Sequence, residues 1–194
     1  MKKTLLIISL TFFTLTIVNA QKKINFGVKG GVNFSNMTSD YFTERDNKTE
    51  FNLGLVAEIP IVNKFSIQTE ILYSGQGTKA KVELLGGPSL VEYNLEYLQV
   101  PILAKIYLSQ NLSIEVGPSL NFLVKDEEIY KYTTIKNVGC NFEFSGVLGI
   151  SYKVKGGFFG SLRYINGFTV ALDRELMDED AKNRVFQLGI GYMF

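Results

Sequence analysis

The 194-residue sequence has no His, no Trp and a single Cys, Cys140. Without His, the usual general base is missing, along with the Ser–His and Cys–His couples and the commonest metal ligand. One Cys supports neither a disulfide framework nor a Cys-rich zinc site. Net charge is nearly nil, with 20 Lys and Arg against 19 Asp and Glu, so no bulk field is present to hold nucleic acid. After Val18, no stretch reaches the roughly 18 consecutive apolar residues of a spanning helix. Passage through a membrane would therefore require a closed barrel of strands. What the chain does have is aromatic side chains, 15 Phe and 10 Tyr.

Residues 1–20 read as a secretory signal peptide. Lys2 and Lys3 supply the positive start, and Leu5 to Val18 is apolar apart from Ser and Thr. Val18-Asn19-Ala20 then offers a cleavage site ahead of Gln21,. Removing Lys2 and Lys3 takes the formal charge from +1 to −1. No Cys follows the apolar run, so lipoprotein processing is not expected. Residues 21–194 are expected to form one domain.

From Ile24 onward the dominant period is two. Ile24, Phe26, Val28, Gly30, Val32 and Phe34 alternate with Asn25, Gly27, Lys29, Gly31, Asn33 and Ser35, which gives a strand one apolar and one polar face. The same alternation runs through 51–59, 65–73, 98–106, 114–122, 142–152, 158–164 and 185–194. These are eight candidate strands of a length that suits a membrane, where a tilted strand needs about 9–11 residues. Soluble strands peak near five or six. Short connections at 60–64, 108–111 and 153–157 alternate with long polar ones at 36–50, 74–94, 125–141 and 168–183. The reading is all-β: an eight-stranded antiparallel up-and-down transmembrane β-barrel with short periplasmic turns and long extracellular loops.

The eight apolar faces carry no Asp, Glu, Lys or Arg. The polar faces are rich in Gly, Ser and Asn, and their charges balance: Glu58, Glu70, Glu115 and Glu143 against Lys29, Lys105, Lys153 and Arg163. Small residues suit the crowded lumen of an eight-stranded barrel. The eight charges are expected to form an ion-pair network inside it. A soluble ligand-binding barrel with its faces inverted would alternate too. The aromatics separate these readings. Phe34, Phe51, Tyr73, Phe122, Phe142, Tyr164 and Phe186 fall at one set of strand ends, and Phe65, Tyr152, Phe158, Tyr192 and Phe194 at the other. Two such girdles belong to a lipid-facing barrel.

The chain resembles the PorT-like outer-membrane β-barrel proteins, small barrels of the OmpA/OmpX type. The resemblance is carried by Phe26-Gly27-Val28-Lys29-Gly30-Gly31, Tyr97-Leu98-Gln99-Val100-Pro101, Gly117-Pro118, Gly146-Val147-Leu148-Gly149 and Arg163-Tyr164. The last strand, with Phe186, Leu188, Ile190, Tyr192 and Phe194 alternating to a terminal Phe, looks like the membrane-insertion signal read by the barrel-assembly machinery. The resemblance implies an outer-membrane location and a link, through the family's namesake, to protein secretion.

No enzyme activity, cofactor or metal site is expected, because the known types of barrel protease, phospholipase and acyltransferase depend on His. The expected role is structural or interactive, through the extracellular loops, with the lumen plugged by polar groups. A narrow porin-like passage for small solutes and an accessory part in secretion are the alternatives. Expected partners are outer-membrane lipid and lipopolysaccharide, and the barrel-assembly machinery during insertion. No nucleic acid is expected, and the loops' protein partner is not legible. Cys140 reads as an incidental thiol, and the acidic run Asp173–Asp180 as a solvated loop that could bridge divalent cations,.

Overall fold

The computed structural model describes residues 23–38, 44–84, 87–130, 133–135, 139–172 and 181–194; the expected signal peptide, 1–20, and the acidic run 173–180 lie outside them. Its strands are β1 (Asn25–Thr38), β2 (Glu44–Val62), β3 (Phe65–Leu84), β4 (Gly87–Tyr107), β5 (Leu112–Ile129), β6 (Thr134–Ile135), β7 (Phe142–Lys153), β8 (Phe158–Gly167) and β9 (Lys182–Met193). Each long strand is hydrogen-bonded antiparallel to its sequence neighbour, with β5 joined to β7. Pairing of β1 with β9, from Gly27↔Met193 to Thr38↔Lys182, closes the ring. The two-residue β6 only adds to the outer end of β5. Closure leaves the membrane-crossing part without a free edge.

The alternation is realised with its apolar side outward. Phe26, Leu53, Leu55, Ile71, Ile102, Leu148, Leu162 and Ile190 are all exposed on the barrel's outside, Ile190 at 76%. Lys29, Asn52, Glu70, Gln99, Glu115 and Arg163, one residue out of phase, are buried inside. This inverts the arrangement of a soluble protein, and apolar solvent outside is what makes it favourable. Gly31 and Gly117 stand where a Cβ would run into the carbonyl oxygens of Leu188 and Ile102 on adjacent strands, so these sites of close backbone approach exclude any side chain.

One expectation is corrected. Segment 74–94 is not a loop: β3 continues to Leu84 and β4 begins at Gly87, paired without a break from Leu72↔Gln99 to Leu84↔Gly87. Likewise β2 takes in 44–50 and β5 takes in 125–129. Strands β2 to β5 therefore rise as a tall wall beyond the outer aromatic girdle. Along β4 the outward positions change from Glu92, Asn94 and Glu96 to Leu98, Val100, Ile102, Ala104 and Ile106. That switch marks the outer boundary of the lipid-facing belt.

Candidate functional site

Seven of the eight lumen charges form one continuous chain across the barrel. Arg163, on β8, is its hub: its terminal nitrogens donate to both carboxylate oxygens of Glu70 on β3, at 2.7 and 2.6 Å, and its Nε donates to Glu115 on β5 at 2.7 Å. Lys29 lies 3.4 Å from Glu70. Lys105 lies 3.5 Å from Glu115 and 3.6 Å from Glu58, and Lys153 ends the chain 4.0 Å from Glu58. Neutral groups fill the remaining bonding sites. Lys29 donates to Gln187 at 2.8 Å, Gln68 to Glu70 at 2.6 Å and Lys105 to Gln68 at 2.8 Å, while the Tyr107 hydroxyl donates to Glu58. Burial of ions is costly unless each is paired and hydrogen-bonded, and the bidentate Arg fork meets that condition best.

Glu143 stands apart. It accepts hydrogen bonds from Asn183 at 2.6 Å, Asn121 at 3.2 Å and Tyr97 at 3.4 Å, with no cation beside it among the described residues. It belongs to an amide-rich layer on the outer side of the ion pairs. There Asn33 bonds Ser74 and the Gly75 carbonyl, and Asn52 and Gln187 both donate to Asn33.

Apolar layers separate and cap these polar ones. Val56, Phe159 and Met193 pack together toward the short-turn end, and Leu103, Val147, Ile165 and Val185 between the ion pairs and the amides. Above the outer girdle, Met37, Ala80, Val91, Tyr93, Leu95 and Tyr97 form a buried cluster with Ala171, Leu172 and Ala181. Two bridges, Gly139↔Leu172 and Leu172↔Ala181, hold the covering segments across it. Half-buried Cys140 takes part through its backbone, donating to the Ala171 carbonyl at 2.9 Å. Sequence reasoning missed this cap because 74–94 looks polar in composition. The inward parity of Val91, Tyr93, Leu95 and Tyr97 was the available signal.

At the short-turn end the lumen opens into a cavity of 390 Å³ lined in part by Glu58, Ser66, Tyr107, Gln110 and Lys153. On the outside, the girdles are rows of touching rings. Phe51–Tyr73, Phe122–Phe142 and Tyr164–Phe186 centroids lie 5.6, 5.5 and 5.0 Å apart at the outer rim. Phe158–Tyr192 and Tyr192–Phe194 lie 4.9 and 5.7 Å apart at the inner one. Phe186, Leu188, Ile190 and Phe194 are exposed along the outward face of β9, with Tyr192 half-buried between its ring neighbours. Just above the outer girdle, Lys125 pairs with Glu96 at 3.5 Å and Glu127 at 3.4 Å, and these carboxylates hold its ammonium above its ordinary pKa.

Comparison with known proteins agrees with this geometry. Residues 19–173 match the family described as outer membrane protein beta-barrel domain. No curated protein matches the chain in sequence. Among solved structures, Ail, the attachment invasion locus protein of Yersinia pestis, is similar with a TM-score of 0.56 at 16% identity, over 88% of this chain and 98% of that one. Neisserial surface protein A gives a TM-score of 0.58 at 11% identity, over 89% of this chain and 100% of that one. OprG from Pseudomonas aeruginosa gives 0.50 at 11% identity, over 88% and 95%. At such identities the likeness is one of fold.

Proposed function

The chain belongs to the outer membrane protein β-barrel domain family, and we propose that it is a closed, non-catalytic barrel that acts through its outer surface. Its place is the outer membrane. The observation that carries the proposal is the filled lumen: a salt-bridged layer centred on Arg163, an amide layer, and an apolar cap fixed by the 139–140 and 171–172 segments. A lumen packed in this way leaves the wall of β2 to β5 and the loops as the parts able to recognise something. Outer-membrane lipid contacts the belt, and lipopolysaccharide meets the outer rim where Lys79 and Lys125 stand exposed. Residues 1–20 serve as the export signal, and the β9 row Phe186, Leu188, Ile190, Tyr192 and Phe194 as the signal for the barrel-assembly machinery. The likeness of short motifs to PorT-like proteins makes an accessory part in secretion the second reading, with deletion and a comparison of secreted proteins as its test.

The lack of His supports the absence of catalysis,. Planar-bilayer recording of the refolded barrel tests closure. No discrete conductance steps are expected for the intact chain. Reproducible steps from a barrel that still shows heat-dependent gel mobility would overturn the closed-lumen reading in favour of a narrow solute passage.

A further inference from the structure

The two ends of the barrel differ in charge. At the short-turn end the described residues include Lys23, Lys64, Lys153 and Lys155. The turns themselves, 60–64, 108–111 and 153–157, contain no Asp or Glu. Among the described residues, the one side-chain carboxylate nearby, Glu58, is buried in the lumen and shared between Lys105 and Lys153. Among the described residues, side-chain carboxylates outside the lumen belong to the long-loop side, Glu50, Glu92, Glu96 and Glu127 among them.

The lysines also stand close together. Tyr107, at the start of the β4–β5 turn, donates its backbone N–H to the Lys64 carbonyl at 2.9 Å. At the other side of that turn, Lys153 donates its backbone N–H to the Asn111 carbonyl at 2.8 Å, and Asn111 returns a side-chain bond to the Lys153 carbonyl at 2.5 Å. The β4–β5 turn thus sits between Lys64 and the Lys153–Lys155 turn. Leu108, the first residue of that turn, is 57% exposed, and Ile61, Val62 and Val154 are exposed on the same arc. An apolar patch topped by the exposed ammonium groups of Lys64 and Lys155, with half-buried Lys153 turned in toward Glu58, has the chemistry of a layer where acyl chains give way to phosphates.

We propose that this arc of Lys64 and Lys155 around Leu108 binds the headgroups of anionic phospholipids in the inner leaflet of the outer membrane. The inference rests on the outer-membrane barrel reading and adds to it a lipid class and a side. Ile61, Val62, Leu108 and Val154 seat the upper acyl chains, while the ammonium groups reach down to the phosphates. At the opposite end the exposed Lys79 and Lys125 are instead paired with Glu92 and with Glu96 and Glu127, so the preference for free anionic headgroups belongs to the short-turn rim.

The absence of Trp makes the test direct. Leu108→Trp places a single fluorophore in the arc, and Leu98→Trp a control near the outer rim. Each variant of the full mature chain is refolded into vesicles doped with brominated phosphatidylglycerol or brominated phosphatidylcholine, and quenching is compared at equal mole fraction. Because each Lys near an anionic headgroup layer contributes a factor of roughly five, phosphatidylglycerol is expected to be enriched about fivefold or more at Leu108→Trp. Lys64→Gln with Lys155→Gln should abolish that enrichment, as should high salt, and Leu98→Trp should show none. Equal quenching by both lipids at Leu108→Trp would overturn the proposal, as would an excess that survives the two Gln substitutions. If the lipids quench equally but an acidic periplasmic protein binds the same lysines, the lipid assignment is likewise overturned. Heat-dependent gel mobility, measured on every variant, separates these results from a failure of the barrel itself.

Discussion

Arg163→Met should destabilise the folded barrel by about 3–5 kcal/mol, the usual consequence of removing one partner from a buried ion pair. Arg163 is 1% exposed and satisfies two carboxylates at once. Among the described residues, its removal leaves Lys29, at 3.4 Å, as the one cation paired with Glu70, and Lys105, at 3.5 Å, as the one paired with Glu115. Both carboxylates then lose their closest charged donor in a lumen that excludes bulk water. The measurement is urea unfolding of the refolded barrel, followed by Tyr fluorescence or heat-dependent gel mobility. Adding Lys29→Met, Glu70→Gln and Glu115→Gln to Arg163→Met removes the connected charges together, leaves Glu58 between Lys105 and Lys153, and should restore most of the loss, since replacing a buried ion cluster as a unit is often close to neutral. A loss that persists unchanged in the quadruple variant would mean that Arg163 matters for packing and not for charge.

Leu148→Arg is the second large effect, at about 2–4 kcal/mol, whereas Val124→Arg should cost only about 0–1 kcal/mol. The two positions are almost equally exposed, 58% and 63%. Exposure alone therefore predicts the same small effect at both. Leu148 lies midway along β7 between Phe142 and Tyr152, in the belt between the girdles, whereas Val124 lies beyond the outer ring formed by Phe122 and Phe142. Depth in hydrocarbon is what distinguishes them. Unfolding in vesicles provides the measurement, and equal costs would argue against lipid on the outward face.

Strand identity and facing were legible because parity alone determines them. Once Leu53 and Leu55 face out, Asn52 and Val56 must face in. The partners within the lumen were not legible. Arg163 and Glu70 are 93 residues apart, and they meet only because ring closure and strand stagger bring β3 opposite β8. Glu143 shows the limit from the other direction. Its charge and parity matched those of the other seven residues, yet it lies too far toward the outer end to reach a cation and is held by Asn183 and Asn121 instead.

The tall wall was hidden for a different reason. Its alternation is intact, but its polarity is reversed, with Glu92, Asn94 and Glu96 outward and Val91, Tyr93, Leu95 and Tyr97 inward. Averaged over the segment, such a stretch looks like a polar loop. The reversal follows from a change of solvent at the membrane surface: below it the outside is hydrocarbon, above it water. A single strand therefore carries both patterns. The aromatics at the switch, Tyr73 and Phe122 among them, mark where one gives way to the other.

The most direct test of the whole account is site-directed spin labelling along β2, one position at a time from Phe51 to Ile59, with Cys140 first replaced by Ser. In lipid vesicles, labels at Phe51, Leu53, Leu55, Ala57 and Ile59 should be accessible to oxygen and shielded from a water-soluble nickel chelate. Labels at Asn52, Val56 and Glu58 should be shielded from oxygen by the packed lumen. The opposite phase, or nickel access at Leu55 equal to that of a loop label, would contradict a barrel that faces lipid with its apolar side and closes over its charges.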